Sequence, residues 1–334
     1  MSSPFSDVCH LYTSYEAYEG KAKEPTDPKL EFCFESYNLL SSALTAVKHT
    51  YAVNPDRTPN IYTMQGHNPV RKQQILCHLN ECMQKDEILC VQEFDEGFRA
   101  EFEVLLDKHA YGCASVCYGV FKTGDKQING YLGAGILIPS KHFELIESTH
   151  IKYAIPEVEE SFKLASQEFV AVRLNHRETS TRLVIASAHI PFGVKNKTFV
   201  VDGLFASVQA FANGDPVMLA GDMNIDARVD PTVINAGKSL GFKDVLQDQR
   251  PNIITAVSCF GKDPTIKHSA VDYIMSKDLS VVSEKVETDA FLSGGEPTIP
   301  NRLHPSDHFP VRGVVTFVHS EKRAVKRQCL EMPK

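Results

Sequence analysis

Carboxylate and amide side chains directly follow two apolar runs of the sequence. Glu93 comes after the run 88–91, and Asp222 and Asn224 come after the run 217–220. A polar side chain just past the end of a strand is held rigidly and stays open to a substrate. There, a carboxylate suits a hard cation or the deprotonation of water, and a neutral amide can hold a phosphate oxygen. The alternatives are an exposed Glu93 and an ordinary turn at Asp222.

A second group of polar residues combines histidine with aspartate. Asp307 and His308 precede the last apolar run, and His189 ends the run 183–188. A histidine that a carboxylate orients can donate a proton or stabilise charge that develops on a phosphate. We interpret Asp272, which alternates with apolar neighbours, as the residue that orients His308. A lone histidine is more often structural, so this interpretation depends on the nearby aspartates.

Many strands must position these side chains. Short β-rich runs recur, and we predict strands over residues 31–37, 87–92, 134–138, 169–174, 183–188, 216–220, 271–276 and 311–317. Amphipathic stretches predict helices that open at Asn68-Pro69, pass through 98–106, and run over 204–211 to a stop at Asn213-Gly214. The pattern predicts an α/β protein in which two packed sheets are flanked by helices.

Composition predicts a folded chain and argues against a protein that coats nucleic acid. The 334 residues are 43% hydrophobic, and the formal net charge is −7. Nine cysteines form neither a paired framework nor a CxxC zinc cluster, which is typical of a reducing compartment. The sequence shows no secretory signal, lipid anchor or membrane-spanning run. We therefore expect a cytoplasmic protein.

Six motifs resemble, in the same order, those of the endonuclease/exonuclease/phosphatase superfamily, which includes deoxyribonuclease I. They are Ser-Tyr-Asn at 36–38, Gln-Glu-Phe at 92–94, Ser-Ala-His at 187–189, Gly-Asp-Met-Asn at 221–224, Val-Asp-Tyr-Ile at 271–274 and Ser-Asp-His-Phe-Pro at 306–310. The resemblance implies a four-layer α/β sandwich with two mostly antiparallel sheets. It also implies a Mg²⁺ or Mn²⁺ ion and attack of water on a phosphoester.

The resemblance also implies metal ligands and a base. Glu93 resembles the central metal ligand of the superfamily, while Asn38 and Asp307 resemble further ligands that bind directly or through water. Asp222 resembles the residue that activates water, and Asn224 resembles its phosphate-binding neighbour.

The histidines have counterparts in the same superfamily. His308 is similar to its essential histidine, and Asp272 is similar to the carboxylate that orients it. His189 resembles the histidine of a Thr-His-Leu motif, in which Ala188 here replaces the threonine. That replacement removes one hydroxyl and keeps the imidazole.

The branch of the superfamily decides the expected substrate. The motifs at 36–40 and 271–276 look most like the deadenylase and nocturnin branch, whose members cleave RNA 3′ ends or small nucleotides. Sphingomyelinases remain an alternative, because 133–137 with 140–141 resembles a stretch that they carry. Other phospholipid or inositol-phosphate phosphodiesterases also remain, although Tyr273 stands where the inositol-phosphate enzymes usually have arginine. A catalytically inactive binding scaffold is a third alternative.

We expect an N-terminal arm over 1–29, a catalytic domain over 30–318 and a basic tail over 319–334. The tail could dock on a membrane surface, and a solvated end is the commoner interpretation of such a charge cluster. Substrate choice is expected to rest on the loops at 50–66, 124–130 and 191–197. The aromatic residues in these loops that could stack on bases are Tyr51, Tyr62 and Phe192.

Overall fold

Two six-stranded β-sheets pack against each other in the computed structural model. It describes residues 31–41, 69–94, 98–123, 126–154, 166–190, 194, 196–259, 266–286, 288 and 304–316. The expected N-terminal arm and basic tail lie outside these residues, and so do Tyr51, Tyr62 and Phe192.

The chain passes from the first sheet to the second between Pro139 and Phe143, and returns to the first sheet between Lys277 and Ser280. The first sheet runs through β13 (Ser280–Ser283), β14 (Val311–Thr316), β1 (Glu31–Asn38), β2 (Ile88–Gln92), β4 (Lys126–Pro139) and β3 (Tyr111–Thr123). The second runs through β5 (Phe143–Ala154), β6 (Ser166–His176), β7 (Arg182–His189), β8 (Val217–Asp222), β12 (Asp272–Lys277) and β9 (Lys243–Asp244). A separate antiparallel pair consists of β10 (Ala256–Cys259) and β11 (Ile266–Ser269).

Each large sheet contains one parallel pair among antiparallel neighbours. β1 pairs with β2 in the first sheet, and β7 pairs with β8 in the second. Parallel strands bring their carboxyl ends to the same edge of a sheet. Accordingly, Asn38 lies opposite Gln92 in one pair, and His189 lies opposite Asp222 in the other.

Alternating side chains divide the hydrophobic core into layers. Ile88 and Cys90 of β2 belong to the cluster between the sheets, together with Ile185 of β7. Leu89 and Val91, which point to the opposite face of β2, belong to a cluster on the outer face of the first sheet. Burial on both faces explains why the run is apolar throughout.

Within the described ranges, each sheet has two helices on its outer face. α1 (Pro69–Gln84) and α2 (Arg99–His109) pack on the first sheet, and α3 (Lys197–Ala212) and α4 (Thr232–Ser239) pack on the second. The predicted four-layer α/β sandwich with mostly antiparallel sheets is confirmed. Among the helices of the described ranges, none is both long enough and apolar enough to cross a membrane.

All eight predicted runs fall on observed strands, but some observed strands have no predicted run or only a partial one. The run 134–138 is only the end of β4, and six strands were not predicted, namely β3, β5, β9, β10, β11 and β13. In β3, glycine, serine and cysteine interrupt the valine and tyrosine residues, so it has no continuous apolar run. β5 is an edge strand with mostly exposed side chains, and the other four span only two to four residues. The predicted helix stop is confirmed, because Asn213 caps α3 with a left-handed φ of 47°.

Candidate active site

An amide from the first sheet bridges carboxylates of both sheets. Asn38 ends β1, Glu93 follows β2, and Asp222 ends β8, and all three side chains are buried. Asn38 Nδ2 donates to Glu93 Oε1 at 3.1 Å and to Asp222 Oδ2 at 3.0 Å. The amide oxygen of Asn38 accepts from the backbone N–H of Leu40 at 2.9 Å. These contacts make Asn38 a link between the carboxylates, and its role as a direct metal ligand stays a prediction.

The backbone adopts left-handed conformations where the site residues leave their strands. Glu93 has a φ of 53° and Asn224 a φ of 48°, which costs a non-glycine residue on the order of 1 kcal/mol. Gly221, which directly precedes Asp222 in β8, has a φ of 146°. A Cβ at this position would lie 1.8 Å from the carbonyl oxygen of Ala188. Only glycine therefore lets β7 and β8 approach each other this closely beside Asp222.

Burial makes the charged forms of the carboxylates costly. It raises the pKa of Asp222 to about 8, although His308 opposes the shift. Burial and the carboxylate of Asp307 together raise the pKa of Glu93 to about 7. Glu93, Asp222 and His189 each offer a ligand atom, and these atoms lie within 4.8 Å of one another. A buried donor set dominated by carboxylate oxygens fits a hard cation such as Mg²⁺ or Mn²⁺.

His189 faces this carboxylate cluster from the second sheet. Its Nε2 lies 3.7 Å from Glu93 Oε1 and 3.7 Å from Asp222 Oδ2. Asn224 Nδ2 lies 3.3 Å from the same ring nitrogen. Burial, reinforced by His308, lowers the pKa of His189 to about 3. The ring is therefore neutral in this arrangement and is placed at the cluster as the sequence predicts.

Asn224 is fastened to the turn that follows β8. Its backbone N–H donates to Asp222 Oδ1 at 2.8 Å, and its amide donates to the carbonyl oxygen of Ile190 at 2.8 Å. Lys197 Nζ donates to the Asn224 carbonyl oxygen at 2.9 Å. These bonds hold the amide beside Asp222, where the sequence predicts a phosphate contact.

His308 is held between aspartates. Its Nδ1 lies 2.9 Å from Asp272 Oδ2, and its Nε2 lies 3.6 Å from Asp222 Oδ2 and 3.9 Å from Asp307 Oδ1. Burial alone would lower the pKa of His308, but Asp272, Asp222 and Asp307 outweigh burial and raise it well above its usual value. The imidazolium form is thus favoured, with its Nε2 directed at the carboxylate cluster.

Two residues that the sequence analysis missed fix Asp272. Thr255 Oγ1 accepts from the backbone N–H groups of Val271 and Asp272, each at 3.0 Å. Arg250 donates to the Asp272 carbonyl oxygen at 2.9 Å and forms a bidentate pair with Asp244. Both contacts reach Asp272 through its backbone, so residue type and spacing give no signal of them.

The segment that carries His308 is tied to the end of β1. Ser306 Oγ donates to the carbonyl oxygen of Asn38 at 2.6 Å, and the His308 backbone N–H donates to Ser306 Oγ at 3.2 Å. His304 Nε2 donates to the carbonyl oxygen of His308 at 2.6 Å. These hydrogen bonds hold the His308 segment against the end of β1, so the His308 ring lies next to the Asn38 amide.

Arg71 adds a second connection between this segment and β1. Its guanidinium donates to the carbonyl oxygens of Leu39 at 3.0 Å and Pro305 at 3.3 Å. The side chain is buried and lies on the face of α1 that also carries Ile75 and Leu79. A charged residue on the apolar face of a helix was the available signal for this role.

The structure brings all the predicted site residues to one end of the sandwich. They are Asn38, Glu93, His189, Asp222, Asn224, Asp272, Asp307 and His308. Their individual roles stay predictions.

Comparison with known proteins gives matches among solved structures alone. No protein-family model and no curated protein matches the chain. ANGEL2, described as a 2′,3′-cyclic phosphatase in complex with adenosine-2′,3′-vanadate, is 16% identical, with 86% of this chain and 96% of that chain covered and a TM-score of 0.62. The human Nocturnin catalytic domain with bound sulfate is 21% identical, with 86% and 95% covered and a TM-score of 0.59.

A third matching structure is a bacterial protein that bears the name of the fold. The endonuclease/exonuclease/phosphatase from Bacteroides vulgatus is 12% identical, with 87% of this chain and 100% of that chain covered and a TM-score of 0.58. At these identities the likeness concerns the fold. The protein has the endonuclease/exonuclease/phosphatase fold.

Proposed function

We propose that this protein is a metal-dependent hydrolase of phosphoesters and that its substrate is RNA or a nucleotide. The proposal rests on the arrangement of five side chains. The Asn38 amide joins the Glu93 and Asp222 carboxylates, and the imidazole of His308, paired with Asp272, faces them. Such a site places a base, a charged donor and cation ligands around a single small volume.

Glu93 is the main ligand for Mg²⁺ in this proposal, and Asp307 and Asn38 contribute directly or through water. The bound ion would supply positive charge that polarises a phosphoryl oxygen. The donor set supports this choice, because it offers carboxylate oxygens and no thiolate.

Asp222 is the base that takes a proton from the attacking water. Its carboxylate is fixed from both sides, since Asn38 donates to Oδ2 and the backbone of Asn224 donates to Oδ1. Fixing the base reduces the reorganisation that proton transfer requires. The Asn224 amide and the His189 ring, which lie beside it, bind the phosphate oxygens.

His308 stabilises the negative charge that develops on the phosphoryl group. Asp272 accepts a hydrogen bond from Nδ1, which fixes the orientation of the ring and favours its charged form. A preorganised charged donor in a buried site is among the strongest contributors to a lower barrier. We therefore assign His308 as a catalytic residue and Asp272 as its positioning residue.

The structural neighbours support a nucleotide or RNA substrate. The matching structures include a 2′,3′-cyclic phosphatase with an adenosine ligand and the Nocturnin catalytic domain with an anion. This agrees with the expected deadenylase and nocturnin branch. The alternative of a lipid or inositol-phosphate substrate rests on the resemblance of 133–137 to sphingomyelinases.

A substrate panel tests the proposal. Purified protein with Mg²⁺ is incubated separately with poly(A), a dinucleotide, a 2′,3′-cyclic nucleotide, sphingomyelin and inositol phosphates. We expect hydrolysis of a member of the first three classes and its loss in Asp222→Asn. Turnover of sphingomyelin or inositol phosphates alone would select the alternative, and a failure to hydrolyse any of them would favour the inactive scaffold.

We also propose a location in the cytosol. Cys33, Cys82, Cys90 and Cys113 are free thiols. Unpaired thiols support a reducing compartment.

A further inference from the structure

A second cluster of metal-binding residue types lies on the outer face of the first sheet. Glu35 of β1 points toward α1, where His78 and Cys82 are four residues apart and so lie on the same helix face. One ligand atom from each of the three lies within 4.8 Å of the others. The carboxylate and the thiol are buried, and the imidazole is partly exposed.

The separations of the ligand atoms fit a tetrahedral ion with one sulfur ligand. Cys82 Sγ lies 3.7 Å from His78 Nε2 and 3.8 Å from Glu35 Oε1. In tetrahedral zinc coordination, sulfur lies about 3.6 Å from a nitrogen or oxygen ligand. His78 Nε2 and Glu35 Oε1 are 2.6 Å apart, and an ion would widen this distance by roughly 0.8 Å. His78 is partly exposed, so it is the ligand whose side chain would rotate to give this separation.

A guanidinium supports the two buried ligands from outside. Arg312 lies opposite Glu35 in the pairing of β1 with β14, and its Nε donates to Glu35 Oε2. Its Nη2 donates to Cys82 Sγ at 3.2 Å and to Glu87 Oε2 at 3.2 Å. The Oε1 atom of Glu35 is thus directed at the imidazole and the thiol. Hydrogen bonds of this kind orient metal ligands and stabilise a thiolate.

The charges of the cluster also balance with a divalent cation. The Glu35 and Glu87 carboxylates and a Cys82 thiolate carry three negative charges, and the Arg312 guanidinium carries one positive charge. With His78 neutral, as a zinc ligand must be, the net charge is about −2, which one divalent ion neutralises; without an ion, a protonated His78 paired with Glu35 and a neutral Cys82 thiol balance the carboxylates instead. An ion-pair network by itself requires no thiol, yet the Cys82 sulfur lies against a nitrogen, a carboxylate and a guanidinium.

We propose that Glu35, His78 and Cys82 bind Zn²⁺, with water as the fourth ligand. Thiolate and imidazole ligands select zinc over magnesium, and binding releases the thiol proton to solvent. The site is separate from the carboxylate cluster, because Glu35 faces α1 whereas Asn38 faces the second sheet. The ion would join α1 to β1 and act as a structural element.

Cobalt is a spectroscopic probe of this site, because Co²⁺ bound to a thiolate has a sulfur-to-metal charge-transfer absorption. The full chain, reduced and freed of metal, is titrated with Co²⁺. With excess Mg²⁺ present to occupy the carboxylate cluster, we expect the band to saturate at one equivalent of Co²⁺ and to disappear when Zn²⁺ is added. Zn²⁺ is also expected to raise the Tm of the wild-type protein.

Variants assign the band to Cys82. Cys82→Ser should abolish it and weaken Zn²⁺ binding by at least about 100-fold. Cys77→Ser removes a neighbouring thiol of the same helix and should leave the band unchanged. His78→Gln keeps the thiol and should weaken binding with an altered band, which provides a second test if Cys82→Ser does not fold. No band in the wild-type protein, or a band that survives in folded Cys82→Ser, would overturn the proposal.

Discussion

His308 Nδ1 lies 2.9 Å from Asp272 Oδ2, and this contact directs the opposite ring nitrogen toward the carboxylate cluster. The carboxylate and the imidazole therefore form one unit, in which Asp272 acts through His308. The mutational behaviour of the pair follows from this relationship.

The effects of removing His308 and Asp272 should not be additive. We expect His308→Ala to lower kcat by about 10² or more with little change in KM, because the ring acts mainly in the transition state. Asp272→Asn should be milder, since it keeps the shape and removes the charge. The double variant should be scarcely slower than His308→Ala, as measured by steady-state kinetics of all four proteins. Fully multiplicative losses would show that the two residues work independently.

Activity should depend on a hard divalent cation. The buried carboxylates of Glu93, Asp222 and Asp307 favour such an ion over zinc or copper. Dialysis against EDTA should abolish turnover, and Mg²⁺ or Mn²⁺ should restore it. Full activity after rigorous chelation would contradict this expectation.

Glu93→Ala should separate catalysis from folding. The variant loses the predicted central metal ligand, so we expect no measurable turnover. Its free energy of unfolding should stay within about 1 kcal/mol of the wild type or rise, because the substitution removes a buried carboxylate whose charged form is costly. Chemical denaturation measures this, with exposed Glu103→Ala as the control. A variant that does not fold would indicate a structural role for Glu93.

His304 should make the folded protein less stable in mild acid. Burial lowers the pKa of His304 to about 4, whereas the unfolded chain binds the proton near a pH of about 6.5. The free energy of unfolding should therefore fall as the pH drops through this window, by on the order of 1–3 kcal/mol from this residue.

His304→Gln tests that assignment, because glutamine does not titrate. The variant should show a flatter dependence of Tm on pH between about 6.5 and 4 than the wild type. His150→Gln, at an exposed position, should keep the wild-type slope. Equal slopes in all three proteins would exclude His304 as the source.

Local signals in the sequence predicted two packed sheets flanked by helices and several polar residues at strand ends, and the resemblance of the six motifs supplied the four-layer sandwich and the expected roles of the site residues. Glu93 and Asp222 follow strongly apolar runs, so their places at strand ends could be predicted from neighbouring residues. The contacts of Thr255 and Arg250 with Asp272 depend on backbone atoms that folding brings together. Such contacts leave no periodicity or motif in the sequence.

The sequence patterns also gave no indication of the cluster of Glu35, His78 and Cys82, for a related reason. Its ligands are spaced at 35, 78 and 82, and only the last two share an element. A metal site formed by a strand and a helix has no short motif, in contrast to a CxxC pair. Of the loops expected to select the substrate, 50–66 and most of 191–197 lie outside the described residues. The expected loop at 124–130 is wrong for residues 126–130, which form the start of β4.

The Asn38 amide holds a carboxylate of its own sheet and one of the facing sheet, so the reaction centre spans the boundary between two layers. A small slip of one layer against the other would separate Glu93 from Asp222 while every strand is kept. We therefore expect the proposed activity to report changes in core packing that circular dichroism does not detect. During gradual denaturation, or after repacking of the core between the sheets, activity should be lost while the secondary structure is still intact.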